Sequence, residues 1–232
     1  QISAQGGAIN LTARDLFLAN TQGDIGSSSQ AVSLQLSGAL RQAGAAADLF
    51  LSHSGGDLRV GSIAAGGALL LTNEQDILAN DSNQFMSASG ITLNVGTSNL
   101  GATGSRLNLS VLNDDGLTVT ADNAWLNITN TPSLVLGDML VNQRLDLVTV
   151  GDIDIAGALH TTSLELEAAG SITGASSGSI TVDDDLRIQA SGIELASLDI
   201  SAGAATLQTL VGDLSVGAMR VSHGDLGLLA TG

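Results

Sequence analysis

Between Leu107 and Leu164 the doublet Leu-x-[Leu/Ile] returns every 19 residues, as Leu107/Leu109, Leu126/Ile128, Leu145/Leu147 and Leu164/Leu166. Side chains alternate across a strand, so both members of a doublet face one side and the residue between them the other. Related pairs extend the pattern downstream, as Leu186/Ile188 and Leu226/Leu228. Upstream they are Ile9/Leu11, Leu16/Leu18, Leu49/Leu51, Leu69/Leu71 and Ile91/Leu93. Leu207, followed by Thr209, reads as a degenerate copy. A second series lies between the doublets, including Gly23-Asp24-Ile25, Gly56-Asp57-Leu58, Gly151-Asp152-Ile153, Gly170-Ser171-Ile172 and Gly212-Asp213-Leu214.

A period near 20 residues fits one coil of a solenoid, in which no repeat buries its apolar row alone and neighbours supply the rest of the core. From Arg144 to Leu159 the coil reads as a Leu145/Leu147 strand, a bend at Gly151-Asp152, and a return to inward positions at Ile153 and Ile155. In that reading glycine supplies positive φ and the aspartate bonds local backbone amides. Each coil thus has at least two strands. Windows of helical spacing are interrupted throughout by glycine or serine-threonine clusters, and the asparagine-containing signature of a leucine-rich repeat is missing. The pattern predicts an all-β chain, a single-stranded parallel β-helix, right-handed by the usual hand of crossover connections. About eleven coils at about 4.8 Å make a rod roughly 50 Å long.

Composition narrows this picture. The 232 residues hold 29 glycines, one proline, no cysteine and only 2% aromatics. A narrow interior takes Leu, Ile, Val and Ala and has little room for rings. Nothing marks a linker, so residues 1–232 read as one repeat domain, expected to be a piece of a longer protein. Seven basic residues face 23 acidic ones, a net charge of −16, which argues against nucleic acid as a partner. No apolar run approaches the roughly 18 residues of a spanning helix, which argues against membrane insertion by a helix.

Coils of this length, with Gly151-Asp152-Ile153-Asp154-Ile155 or Gly170-Ser171-Ile172 following a Leu-x-Leu strand, resemble the passenger rods of filamentous-haemagglutinin-type large exoproteins. These are bacterial two-partner-secretion adhesins, and contact-dependent-inhibition effectors are similar. The resemblance implies a stalk segment at the cell surface or in the medium. It also implies an outer-membrane pore partner engaged by a secretion domain outside this chain. The Asn-Pro motif of that secretion domain is absent, because the single proline, Pro132, follows Thr131.

β-Helices also carry polysaccharide lyases and hydrolases, so acidic clusters bear on function. Asp183-Asp184-Asp185 is the densest run and Asp114-Asp115 the next. Neither supplies by itself the roughly 6 to 8 oxygens calcium prefers. Asp146, Glu165 and Arg187 are middle residues of successive doublets and should stack on the outer face, reading first as a charge-compensating ladder. His53, His160 and His223 are too widely spaced for a zinc motif and read as surface or loop residues. No nucleophile elbow or phosphate loop occurs. No catalytic residue, metal or cofactor is expected; a stalk of a contact-dependent-inhibition effector and a β-helical carbohydrate-active enzyme are the alternative readings.

The binding candidates are apolar. With Leu16/Leu18, Leu49/Leu51 and Leu69/Leu71 inward, Phe17, Phe50 and Leu70 project outward, as does Trp125 beside Leu126. Such positions can stack on a sugar or anchor a protein, or be covered by a neighbouring loop. Asn20, Asn80, Asn108, Asn127 and Asn130 are candidates for amide ladders, Asn108 and Asn127 the best because both are doublet midpoints. The expected function is a structural or adhesive stalk whose partner is a host-cell or matrix glycan or protein receptor.

Overall fold

A computed structural model describes residues 11–113, 115–174, 178–201 and 203–231. Ile9 and Asp114 lie outside them. The 23 strands are joined in one hydrogen-bonded network, every strand pairing is parallel, and no helix occurs among the described residues. The strands stack as a parallel β-helix of about ten turns, close to the eleven expected from the spacing. One coil has three strands where the sequence pattern requires only two. Leu145–Thr149 closes the strand Ser133–Thr149, Asp152–Ile155 follows, and the next strand, Ala158–Ala168, turns the corner into the following coil.

The inward unit is a triplet rather than a doublet. Ala124, Leu126 and Ile128 lie under Leu145, Leu147 and Thr149, which lie under Leu164, Leu166 and Ala168. Further on come Leu186, Ile188 and Ala190, then Ala205, Leu207 and Thr209, then Leu226, Leu228 and Ala230. A Leu-x-[Leu/Ile] doublet is therefore a window that slides within the triplet. Leu126/Ile128 stacks on Leu147/Thr149, not on Leu145/Leu147, after a register shift between Ala121 and Asn123. Leu207/Thr209 is not degenerate, since it fills the second and third places, and Ala205 fills the first.

The upstream doublets divide between columns: Leu49/Leu51, Leu69/Leu71 and Ile91/Leu93 share one, whereas Leu18 belongs with Leu109, through Ala43, Ile63 and Met86. Leu49, Leu69, Ile91 and Leu117 are successive partners, and so are Leu51, Leu71, Leu93 and Val119. Above Leu109 in its own column stand Met86 and Ile63. The Gly-Asp-[Ile/Leu] segments likewise mark more than one corner. Leu58 stacks on Ile77, whereas Ile153, Ile172, Ile193 and Leu214 form another column.

The aliphatic columns merge into one buried core, with Leu126, Leu147, Leu166 and Ile188 fully enclosed. No phenylalanine or tryptophan belongs to it, in keeping with a narrow interior. Gly151 is needed for closeness, not for positive φ. A Cβ there would stand 2.3 Å from the carbonyl oxygen of Thr131 and 2.4 Å from that of Pro132, in the coil before.

The aspartates at the bends act between coils, not locally. Asp152 Oδ1 accepts the Ser171 amide at 2.7 Å and the Ser171 hydroxyl at 3.0 Å. Asp24, Asp48, Asp76, Asp138 and Asp185 accept amides of Asp48, Ala68, Asn99, Ala158 and Ala204 in the same way. Each carboxylate staples a corner amide of the following coil, where the strand ladder is interrupted. Asp152→Ala should therefore lower stability by about 1 kcal/mol. Urea melts followed by circular dichroism should show it as a shift of midpoint with unchanged slope.

Candidate functional site

The strand that carries the inward triplet presents two outward rows. One runs through Trp125, Asp146, Glu165, Arg187 and Thr206 in register. The other runs through Asn108, Asn127, Val148 and Glu167. Alternation fixes both, since each residue stands between two buried inward side chains.

The charged ladder expected at Asp146, Glu165 and Arg187 is present. Arg187 Nη1 donates to Glu165 Oε1 at 2.8 Å, and Arg144 Nη2 donates to Glu165 Oε2 at 2.6 Å. Asp146 is 7% exposed and held by Arg106, whose Nη1 and Nη2 reach its two oxygens at 2.6 and 2.9 Å. Arg106 lies 40 residues before its partner and crosses the coil of Leu126, donating also to the carbonyls of Leu126 and Asp146. Sequence spacing gave no sign of this pair, because it spans two coils. These carboxylates are committed to guanidinium groups, which fits a structural role. Asp146→Ala should cost about 2 kcal/mol, because it strands a partly buried guanidinium. Thermal unfolding in low and high salt should show the loss persisting at high ionic strength, unlike that of an exposed pair.

The amide ladder at Asn108 and Asn127 is present too, with Asn127 Nδ2 donating to Asn108 Oδ1 at 2.7 Å. A second one joins Asn123 Nδ2 to Asn99 Oδ1 at 2.9 Å, and Asn99 Nδ2 in turn donates to Asp76. Asn20 and Asn80 serve their own turns, through Asp24 O and Asp81 Oδ2, and Asn130 takes a φ of 57° at a corner.

The four apolar binding candidates do not gather. Phe17 is 71% exposed and partners Gln42. Phe50 and Leu70 are half-buried ladder partners on a different column, with Thr92 next in line. Trp125 is half-buried in the row of Asp146. Phe85 joins them as a half-buried outward ring beside inward Met86. The sequence signal for it was the same alternation that exposed Trp125, hidden because Met86 belongs to no Leu-x-Leu pair.

The histidines divide. His160 and His223 are exposed, His160 lying 3.5 Å from Asp183 Oδ2. His53 contradicts the surface reading, since it is 1% exposed in the inward column between Leu34 and Asn73. Its Nε2 accepts the Leu36 amide at 3.1 Å, which leaves the proton on Nδ1, and that donates to Asn73 Oδ1 at 2.9 Å. Asn73 Nδ2 in turn donates to the carbonyls of Gly56, Gln75 and Asp76. The imidazole is a satisfied piece of the core.

Among the described residues no three His, Asp or Glu side chains converge as a metal site would need. Asp185 is occupied as a corner staple, leaving Asp183 and Asp184 of the triple run. Among the described residues Asp15 is the one carboxyl whose pKa departs clearly, and it is held below the usual range. Desolvation alone would raise it, but the Ala39 amide, the Arg41 hydrogen bond and the charges of Arg41 and Arg14 outweigh that. The stabilisation it lends is present above the ordinary carboxylate pKa and fades as pH falls through its lowered one.

A groove of about 550 Å³ opens beside the amide ladder, lined by Asn80, Asp81, Ser82, Ser105, Asn108 and Asn127 among others. A smaller one of about 300 Å³ lies along Arg144, Glu165 and Arg187. Among known proteins, no family model, no curated protein and no solved structure matches the chain.

Proposed function

We propose that this chain is a stalk segment of a secreted bacterial surface exoprotein of the filamentous-haemagglutinin type, presenting or mediating adhesion to a host-cell or matrix glycan or protein. The observation that supports this most is the continuous aliphatic core, wound without interruption through coil after coil. Such a fold spaces its ends at a fixed distance, and each coil depends only on its neighbours. The charged side chains of the central outer face are paired with one another as a ladder, which suits a wall better than a catalytic centre. Secretion through an outer-membrane pore partner belongs to this reading and is assigned to a region outside the chain.

The test is binding of the purified chain to cultured host cells and to immobilised matrix glycans and proteins. Saturable attachment to one of these surfaces is expected, with no change in the polysaccharides offered. Release of reducing or unsaturated ends from an acidic polysaccharide, lost on substitution of Asp183 and Asp184, would overturn the stalk reading in favour of an enzyme.

A further inference from the structure

We infer that the groove between residues 80–84 and 101–106 is a binding site for a neutral oligosaccharide, with Trp125 two residues along the strand from its Asn127 floor. This rests on the adhesive reading above and gives it a place and a ligand class.

The groove exists because the coils that build it are long. Ile63, Met86 and Leu109 follow one another at 23 residues, whereas Leu145 and Leu164 are 19 apart. The surplus residues cannot join the ladder and stand out as walls. One wall is set by Asp81, which accepts the Asn80 side-chain amide at 2.8 Å and the Asn83 backbone amide at 2.9 Å. The other is a clasp in which Ala102 and Ser105 exchange backbone hydrogen bonds of 3.0 and 2.8 Å. Gly101 starts that clasp at φ 71°, a conformation open to glycine, with a Cβ excluded by the Trp125 carbonyl 2.8 Å away.

The floor is rigid and polar. Asn108 is fixed by Gln84, donating its backbone N–H to Gln84 Oε1 at 2.7 Å and its side-chain amide to Gln84 O at 3.1 Å. Asn127 donates to Asn108, and the next residue of the row is Val148, which has no polar side-chain atom. The ladder therefore ends on the Asn127 carbonyl oxygen, an acceptor facing the groove. The Ser82 and Ser105 hydroxyls add groups that both donate and accept.

Charge decides the ligand class. Arg106 lines the groove, but its guanidinium is spent on both oxygens of Asp146. An anionic ligand finds no uncommitted cation there, and a cationic one finds only Asp81, already taking two protein hydrogen bonds. A neutral ligand rich in hydroxyls matches a floor of alternating donors and acceptors. Trp125 stands two residues from Asn127 on the same strand face, and Phe85 precedes Met86 in the coil before Asn108. Both are half-buried outward rings beside residues that line the groove, where the apolar face of a sugar extending past Asn127 or Asn108 would meet them. The volume falls within the roughly 300–1,000 Å³ of ordinary ligand clefts.

Trp125 is the single tryptophan and the chain has no tyrosine, so its fluorescence reports from one position, two residues from Asn127 in the groove floor. The titrants are mannohexaose, cellohexaose, N-acetylchitohexaose and a heparin hexasaccharide. A saturable emission change with at least one neutral hexasaccharide is expected, weakened about fivefold to tenfold by Asn127→Ala and by Ser105→Ala, the loss of one or two hydrogen bonds. Ser105→Ala removes no internal side-chain bond, so folding is not at issue for it. Glu194→Ala, at an exposed strand position in a distant coil, should leave the affinity unchanged. The inference fails if no neutral hexasaccharide moves the emission, if the heparin fragment binds best, or if both groove variants bind as the parent does. Cell attachment that persists when all the sugars fail sinks the groove and spares the adhesive reading; sugar binding without attachment to any cell or matrix surface does the opposite.

Discussion

Leu147→Asp is expected to abolish cooperative folding of the central coils, a loss exceeding about 4 kcal/mol. Leu147 is fully enclosed between Leu126 of the preceding coil and Leu166 of the following one, so a carboxylate there would face aliphatic side chains above and below. In a globular core such a defect can be relieved by local rearrangement. Here every coil is stabilised by the two it touches, so losing one interface uncouples the coils on either side. Leu147→Ala, which removes volume without adding charge, should cost about 2–5 kcal/mol and leave a single transition. Urea denaturation followed by far-ultraviolet circular dichroism distinguishes them. A wild-type midpoint for Leu147→Asp would place that residue outside the core.

The second large effect belongs to His53→Ala, expected to cost about 2–4 kcal/mol. The substitution leaves the Leu36 amide and the Asn73 carbonyl oxygen without partners inside the rod, and opens a space where the imidazole stood. Asn73→Ala should be comparably harmful, since three backbone carbonyls lose a donor. Because the two side chains bond each other, the double variant should be less damaged than the sum, with a coupling of about 1–2 kcal/mol. Additive losses in that cycle would mean that the pair does not act as a unit.

Much of the fold was legible from the alternation of apolar and polar positions, because a stacked coil must repeat its inward row. The register was not. A strand shifted by one residue turns every side chain to the wrong face, but a shift by two keeps all of them inward. Leu126/Ile128 and Leu145/Leu147 thus look equivalent in sequence, although Leu126 stacks on Leu147. The same degeneracy merged Leu93 with the column of Leu109, when its partner is Val119.

The outer face followed the same logic. The ladder of Asp146, Glu165 and Arg187 and the amides of Asn108 and Asn127 were readable as doublet midpoints, and Trp125 from its place beside inward Leu126. Arg106 and Asp146 were not, since contact across two coils leaves no local trace. Alternation from Leu49 through Leu51 already placed His53 inward, but the expectation that a lone polar ring lies at the surface overrode it. The groove beside Asn127 was hidden for a different reason: extra residues in a coil become walls only once the register shows which coils are long.

Oxidative cross-linking tests the stacking most directly, because the chain has no cysteine of its own. Neighbouring parallel strands bring paired Cα atoms to about 4.8 Å, within disulfide reach, while diagonal neighbours lie beyond about 7 Å. Paired cysteines replacing Gln189 and Gln208, or Thr92 and Thr118, should close into disulfides without loss of folding. Cysteines replacing Gln189 and Thr206, or Thr92 and Asn108, should stay reduced. Closure of the second set and not the first would contradict the coil register on which the columns, the ladders and the groove all depend.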